Sequence, residues 1–399
     1  MATVSGGELE TPASVVAVST SHIKPDAGSR FYHPELDGLR FFAFVGVFFY
    51  HTMHMHVVPT GKPLVDSIAA WYASIFRAGE AGVDLFFVLS SYLITALLLR
   101  EYQQTSTIDV KSFYIRRSLR IWPLYYFTLL FCLLIEGRIF GEQMTTLKEF
   151  FVFAVFLENW IPHTYHDIKS PADILWTVSI EEQFYLLWPL VVLWLKPRRI
   201  VQVALVMLAI ANLSRFMLIQ MDAKHLIHHI TPCRLDALAC GALAAAYYHN
   251  RAIPVRSRGT RWLLILAGFF TWIAAVRYFD IGSMFEFNLC FYPTIALGAV
   301  LIFLGTLQPM EAERRGLFAW SPLVFLGRIS YGLYVWHMFA IALVEEIWLG
   351  GRGNGTKLEV VVLSFALTIV IGIASYLLLE KPFLKLKLKF THVQSRPGG

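Results

Sequence analysis

Charged residues are scarce in this 399-residue chain, at 16% of the sequence, whereas 56% of the residues are hydrophobic. Soluble globular proteins carry about 25% charged residues. The deficit excludes a disordered chain, and the 60 aromatic side chains exceed what one water-soluble core needs to bury. The net charge of +6 lies in short clusters between apolar runs, as it does beside membrane spans. The composition therefore indicates a membrane protein without a nucleic-acid partner.

Cysteine is also rare, and the four that occur lack metal-ligand or disulfide spacing. We interpret Cys132, Cys233, Cys240 and Cys290 as small buried hydrophobes. No G-x-S-x-G, P-loop or dinucleotide motif occurs. Residues 1–30 lack the order of a cleavable signal peptide, which predicts a flexible N-terminal tail.

Apolar runs recur from Leu36 onward, and most are long enough to cross about 30 Å of hydrocarbon. They predict an all-α polytopic membrane protein of about ten transmembrane helices. The predicted spans are residues 36–57, 82–100, 121–136, 176–195, 200–220, 236–249, 261–279, 287–308, 323–349 and 358–379.

A shorter apolar run at 147–160 fits a re-entrant or interfacial helix. If it does not cross, most of the 34 lysines and arginines lie on the inner side, as the positive-inside rule requires. Both termini are then cytoplasmic. The predicted organisation is a tail at 1–30, a transmembrane domain at 31–385 and a basic tail at 386–399.

Ionisable residues within spans are candidates for function. Arg40 and His51 are eleven positions apart on the first span, so they share one helix face about 16 Å apart. His51 in the outer half is a candidate catalytic base. The alternative is a packing role.

A carboxylate at the depth of His51 would be its natural partner. Glu182, in WTVSIEEQFYLLWP, lies at about that depth and could hold the imidazole as a base. Alternatively, Glu181 and Glu182 are an interfacial pair with access to water. Asp84, in GVDLFFVLSSYLIT, either orients His51 or caps its own helix.

Three arginines in FYIRRSLRIWPLYY, Arg116, Arg117 and Arg120, stand where the third span begins. Arg117 and Arg120 share a helix face, and such a pair suits phosphate oxygens. A lipid anchor explains them equally well.

Two histidine groups, HTMHMH (residues 51–56) and HLIHH (residues 225–229), end spans on the outer side. Neither includes a carboxylate at a ligand-like step, so we predict no metal site.

Together these segments resemble the acyltransferase 3 family of integral membrane acyltransferases over about residues 33–385. Its marks are LDGLRFFAFVGVFFYH, GVDLFFVLSSYLIT, RRSLRIWPLYY, WTVSIEEQFYLLWP, RLDALACGAL, GRISYGLYVWH and EKPF. Ser91 and Tyr92 stand where members often have Gly-Phe.

The resemblance implies transfer of an acyl group, usually acetyl, from cytoplasmic acyl-CoA to a hydroxyl of a sugar, glycolipid, polysaccharide or macrolide-type acceptor. No permanently bound cofactor is expected. The family implies His51 as base, Glu182 as its partner and Ser179 near the acyl site. It also implies that Arg117 and Arg120 hold CoA phosphates and that Arg40 lines the pantetheine route.

Arg234 and Asp236 are our candidates for the acceptor cleft, unless they pair with each other, and Trp176 could line a substrate site. Direct transfer and an acyl-His51 intermediate both remain open. We expect no relay through a fused esterase-like domain. The family points to a bacterial plasma membrane. The rival hypothesis is a proton-coupled transporter or flippase that uses the same residues.

Overall fold

The structure is a computed structural model that describes residues 31–53, 61–140, 146–161, 170–278, 285–309, 316–348, 357–387 and 390. The described residues form helices and turns and contain no strand, so the chain is an all-α polytopic membrane protein. The predicted N-terminal tail, His54 and His56 lie outside the described residues, as does most of the predicted C-terminal tail.

The helices are α1 (Pro34–Thr52), α2 (Pro63–Arg77), α3 (Gly82–Thr105), α4 (Val110–Phe131), α5 (Leu147–Ala154), α6 (Trp176–Leu195), α7 (Ile200–Gln220), α8 (Leu235–Tyr248), α9 (Arg258–Tyr278), α10 (Phe285–Thr306), α11 (Ser321–Arg328), α12 (Ser330–Leu343), α13 (Lys357–Ser375) and α14 (Lys381–Lys387). A π-helical turn continues α4 through Cys132–Glu136, and another joins α13 to α14 through Tyr376–Glu380.

A helix occupies each of the ten predicted spans. Seven helical stretches of the described chain are both long and apolar enough to cross a membrane: Pro63–Thr105, Val110–Phe140, Pro171–Leu195, Pro197–Gln220, Arg258–Tyr278, Leu289–Thr306 and Leu358–Lys387. The other three predicted spans correspond to α1, which carries charges at its start, to the 14-residue α8, and to the α11–α12 pair.

Two further helices lie in segments for which no membrane crossing was predicted. Helix α2 lies in a predicted outer loop; Pro63 begins it, and Leu64, Ile68 and Tyr72 form an exposed apolar face. Helix α5 has eight residues, far fewer than the roughly 20 needed to cross a bilayer. Its length agrees with a segment that does not cross.

The cysteines do not all share one environment. Cys132 and Cys233 are buried, as predicted, and Cys240 is half-buried. Cys290 is exposed on α10, so the prediction of a buried residue is wrong there. A small apolar side chain tolerates either a protein or a lipid neighbour, which explains why its sequence context did not distinguish the two.

Close backbone contacts place α1 beside the start of α3. A Cβ at Gly79 would lie 2.1 Å from the carbonyl oxygen of Gly46, so only glycine permits this approach. The contact brings Glu80 next to the C-terminal half of α1. In the same way Gly241 of α8 lies against the backbone of α3 near Val88.

Candidate active site

Three adjoining cavities run along α1 from Arg40 to His51. The arginine cavity, about 80 Å³, is lined by Arg40, Arg117, Arg120, Asp37 and Lys387 among others. The middle cavity, also about 80 Å³, shares Arg40, Ser90, Arg117 and Arg120 with it. The histidine cavity, about 420 Å³, holds His51 and shares Val83 and Tyr334 with the middle cavity. The three cavities therefore follow one another along α1, with Val83 and Tyr334 between the middle and the histidine cavity.

Of these three cavities, the arginine cavity has the most cationic side chains in its lining. Arg117 and Arg120 enter it from α4 and Lys387 enters from α14. Arg40 enters from α1, and its Nη1 lies 3.2 Å from Asp37 Oδ1. These side chains can together neutralise a polyanion. The structure thus places Arg117 and Arg120, expected to bind phosphates, around the same cavity as Arg40, expected to line the pantetheine route.

Arg117 lies between two aromatic rings. Its guanidinium carbon is 5.7 Å from the centre of the Phe113 ring and 5.2 Å from that of Tyr185. Such stacking orients the planar guanidinium. Arg116, the neighbouring residue, points elsewhere: it pairs with Glu101 at 3.4 Å and donates to the Phe390 carbonyl at 2.8 Å. The structure thus separates Arg116 from the arginines that line the cavities.

The histidine cavity combines aromatic rings with titratable side chains. Besides His51 it is lined by Tyr50, Glu80, Asp173, Trp176, His228 and His229. Trp176, a predicted substrate contact, packs its ring 4.8 Å from that of His228 and 5.0 Å from that of His229. Aromatic faces with nearby hydrogen-bonding groups are suited to a small polar ligand.

His228 connects this cavity to two other elements. Its Nε2 lies 3.3 Å from Glu80 Oε1, and its Nδ1 lies 3.2 Å from the Tyr292 hydroxyl. Burial lowers the pKa of His228 well below the ordinary value, and His229 and Arg234 lower it further. The imidazole is therefore neutral at pH 7.

The two predicted acceptor residues form separate ion pairs. Arg234 Nη2 lies 2.9 Å from Asp84 Oδ2, and its guanidinium stacks 4.4 Å from the centre of the Tyr292 ring. Asp236 accepts from both terminal nitrogens of the buried Arg215, at 3.0 and 2.8 Å. The alternative in which Arg234 pairs with Asp236 is therefore wrong. Arg234 pairs with α3 and Asp236 with α7, since two positions along a helix turn side chains by about 200°.

Asp84 does not line the histidine cavity. Its carboxylate is held by Arg234, so the expected orientation of His51 by Asp84 has no support in this geometry. The ion pair instead fastens the start of α3 to the segment before α8.

Glu182 and Ser179 face away from the three cavities. Glu182 accepts a hydrogen bond of 2.9 Å from the Trp122 indole and lines none of them. The hydroxyl of Ser179 donates to the carboxylate of Glu158. Burial raises the pKa of Glu158 to about 8, although this hydrogen bond lowers it. The structure thus brings neither Glu182 nor Ser179 to the cavity of His51.

Several residues that line the cavities were given no role in the site from the sequence. Glu181, one residue before Glu182, lines the middle cavity with Arg117. Tyr334 lines two cavities, and Glu80 and Lys387 line one each. A signal existed for Tyr334, because GRISYGLYVWH repeats polar or aromatic residues at helical spacing. Glu80 gave none, since its segment read as a loop.

Among the described residues, no group of three or more histidine, cysteine or acidic side chains is placed to hold a metal ion. The side chains that line the histidine cavity offer hydrogen-bonding groups and aromatic rings.

Comparison with known proteins gives the same family as the motifs. The acyltransferase 3 family model, described as an acyltransferase domain, matches residues 33–379. The chain is 27% identical to the peptidoglycan O-acetyltransferase OatA of Listeria monocytogenes over 379 residues, 90% of this chain and 56% of that protein. It is 29% identical to the O-acetyltransferase OatA of Staphylococcus aureus (strain NCTC 8325) over 387 residues, 92% of this chain and 60% of that protein.

The chain spans less than two thirds of the length of these curated relatives. No solved structure matches it. Since the family model covers most of the sequence and every one of the ten predicted spans, the chain belongs to the acyltransferase 3 family.

Proposed function

We propose that this protein transfers an acetyl group from cytoplasmic acetyl-CoA to a hydroxyl of a cell-envelope carbohydrate. The route of three cavities from Arg117 to His51 carries this proposal, because the two ends differ in chemistry. One end offers cations to a polyanion, and the other offers an imidazole beside aromatic rings.

The donor is proposed to enter at the arginine cavity. Arg40, Arg117, Arg120 and Lys387 would bind the phosphates of CoA, since guanidinium groups match phosphate oxygens in bidentate geometry. The pantetheine arm would extend through the middle cavity toward Tyr334. An extended arm of this kind covers about the 16 Å that separate Arg40 from His51 along α1.

The acceptor is proposed to enter the histidine cavity. Its volume of about 420 Å³ lies within the roughly 300–1,000 Å³ usual for small-molecule sites. Trp176 would stack on a sugar ring, while Glu80 and His228 would accept or donate hydrogen bonds to hydroxyls. The Listeria monocytogenes relative bears the name of a peptidoglycan O-acetyltransferase and the Staphylococcus aureus relative that of an O-acetyltransferase, which favours a cell-wall polysaccharide as acceptor and a bacterial plasma membrane as location.

The proposed chemistry places His51 as the base. Its imidazole takes the proton of the acceptor hydroxyl while the oxygen attacks the thioester carbonyl carbon. The tetrahedral intermediate then expels the CoA thiolate, which takes the proton back from the imidazolium. The products are the acetyl ester and free CoA, and no oxidant or metal is consumed.

The test uses the purified protein in nanodiscs with acetyl-CoA, with and without a solubilised peptidoglycan fragment. Thiol release measures turnover, and equilibrium binding of CoA measures the donor site separately. We expect His51→Ala to bind CoA without turnover and Arg117→Ala to bind it weakly. Arg198→Gln, on the exposed turn Pro197–Arg199, serves as the control for loss of a cation on the same side.

If the wild-type protein binds no acyl-CoA and releases no thiol, the proposal is refuted. The intramembrane histidines and arginines would then be tested as a transport pathway. If His51→Ala keeps full turnover, the assignment of the base is wrong.

A further inference from the structure

His337 lies on α12, inside the motif GRISYGLYVWH, with none of its surface exposed. Its ring centre is 5.3 Å from that of His51 and 5.9 Å from that of Phe44, both on α1. It is therefore a buried neighbour of the proposed base.

One nitrogen of His337 has a defined role. Nδ1 lies 2.5 Å from the backbone carbonyl oxygen of Tyr334. A carbonyl oxygen only accepts hydrogen bonds, so Nδ1 carries the hydrogen. In the neutral ring the other nitrogen, Nε2, then has a free lone pair and is an acceptor.

That acceptor is buried and has no hydrogen-bond partner among the described residues. Leaving a buried acceptor unpaired costs free energy, so a donor that reaches it during function would be stabilised. The titratable ring that packs against it is His51. The ring centres are 5.3 Å apart, a separation compatible with a hydrogen bond between a ring N–H of His51 and Nε2 of His337.

We propose that His337 is a positioning residue for His51. Its Nε2 accepts the N–H of one ring nitrogen of His51, which leaves the other nitrogen unprotonated and directed at the histidine cavity. The carbonyl of Tyr334 fixes the tautomer of His337, and His337 in turn fixes that of His51. This rests on the proposed function of His51 as base.

Burial explains why the partner of His51 would be a neutral imidazole and not a carboxylate. An anionic carboxylate would be costly to bury at this depth unless paired. A neutral imidazole acceptor orients the base and stabilises its imidazolium through one hydrogen bond. This role replaces the contact with Glu182 that the motifs implied, since Glu182 faces Trp122.

The test uses glutamine and asparagine at position 337, because their side-chain amides match different ring nitrogens of histidine. In His337→Gln the side-chain oxygen reaches the position of Nε2 and keeps an acceptor there. In His337→Asn the amide replaces Nδ1 only, so the acceptor is lost. His249→Asn, at the end of α8 and outside the three cavities, controls for loss of a histidine.

We expect His337→Asn to lower kcat by about 10- to 100-fold, the range seen when the group that orients a functional histidine is removed. KM for acetyl-CoA should stay near the wild-type value, because the donor cavities are untouched. His337→Gln should recover most of the turnover. Equal losses in both variants, or a wild-type kcat in His337→Asn, would overturn the proposal.

A second readout needs no acetyl-CoA. Diethyl pyrocarbonate modifies an unprotonated imidazole nitrogen. The rate of His51 modification, followed by peptide mass spectrometry, therefore reports how accessible and reactive its unprotonated nitrogen is. The rate should fall in His337→Asn and be retained in His337→Gln. An unchanged rate in both variants contradicts the positioning role, whereas a wild-type protein that lacks turnover refutes only the proposed function.

Discussion

Glu181 and Glu182 are adjacent on α6, yet only Glu181 lines the middle cavity with Arg117, whereas Glu182 accepts a hydrogen bond from Trp122. One residue along a helix turns the side chain by 100°. The two carboxylates therefore belong to different environments at almost the same depth.

This difference predicts that two isosteric substitutions, Glu181→Gln and Glu182→Gln, affect CoA binding differently. Glu181→Gln removes an anion beside Arg40 and Arg117, which raises the positive potential where CoA is proposed to bind. We expect CoA to bind about fivefold more tightly, near 1 kcal/mol, the scale of a screened charge interaction at short range. Glu182→Gln should leave the Kd unchanged. Isothermal titration with CoA measures both, and equal shifts would contradict the assignment of Glu181 to the donor route.

The position of Lys387 predicts an effect on the affinity for the donor. Lys387 lies on α14 and lines the arginine cavity. Arg116 helps to position α14, because it donates a hydrogen bond to the nearby Phe390 carbonyl. We expect Lys387→Gln to raise KM for acetyl-CoA by about tenfold, because each charge-assisted phosphate contact contributes about 1.5 kcal/mol or more. The increase should shrink at high salt.

Lys385 is the matched control for Lys387. It is exposed on the same short helix and lines none of the three cavities. Lys385→Gln should therefore keep the wild-type KM. A comparable increase in both variants would indicate a general effect of charge near the membrane surface.

The buried pair of Arg215 and Asp236 predicts a large effect on stability. Arg215 has no exposed surface and donates twice to Asp236. Arg215→Met leaves a buried carboxylate unpaired, and breaking such a pair costs about 3–5 kcal/mol. We expect the melting temperature in detergent to fall sharply. The double variant Arg215→Met with Asp236→Leu should recover most of the loss, and a single variant that melts like the wild type would contradict the prediction.

The sequence predicted the ends of several helices well and the direction of side chains around each helix poorly. Helices α6 and α7 begin and end at the predicted residues, because apolar length alone defines a span. Arg40, Arg117 and Arg120 were each assigned to the donor from the sequence, and they line one cavity. The partners of Asp84 and Glu182 were not predictable, because a tertiary contact such as Asp84 with Arg234 joins residues 150 positions apart. Neither periodicity nor charge counting specifies which helices are neighbours.

Glu158 predicts how stability depends on pH. Its pKa is raised to about 8 by burial, so the folded protein favours the protonated carboxyl. A group whose pKa is higher in the folded state contributes stability below its unfolded pKa, near 4.3, and that stability is lost as the pH rises through the folded value. The free energy of unfolding should therefore fall by about 1.4 kcal/mol per pH unit between about pH 4.5 and 8 from this residue.

Two variants separate this contribution from the rest. Glu158→Gln cannot ionise, so the melting temperature measured between pH 5 and 9 should lose the part of its decline that Glu158 causes. Ser179→Ala removes the hydroxyl that favours the carboxylate, so the decline should continue to higher pH than in the wild type. If Glu158→Gln keeps the wild-type slope throughout this interval, the carboxyl is already ionised in the folded protein, and the short segment Glu158–Trp160 is held against α6 by a charged rather than a neutral hydrogen bond.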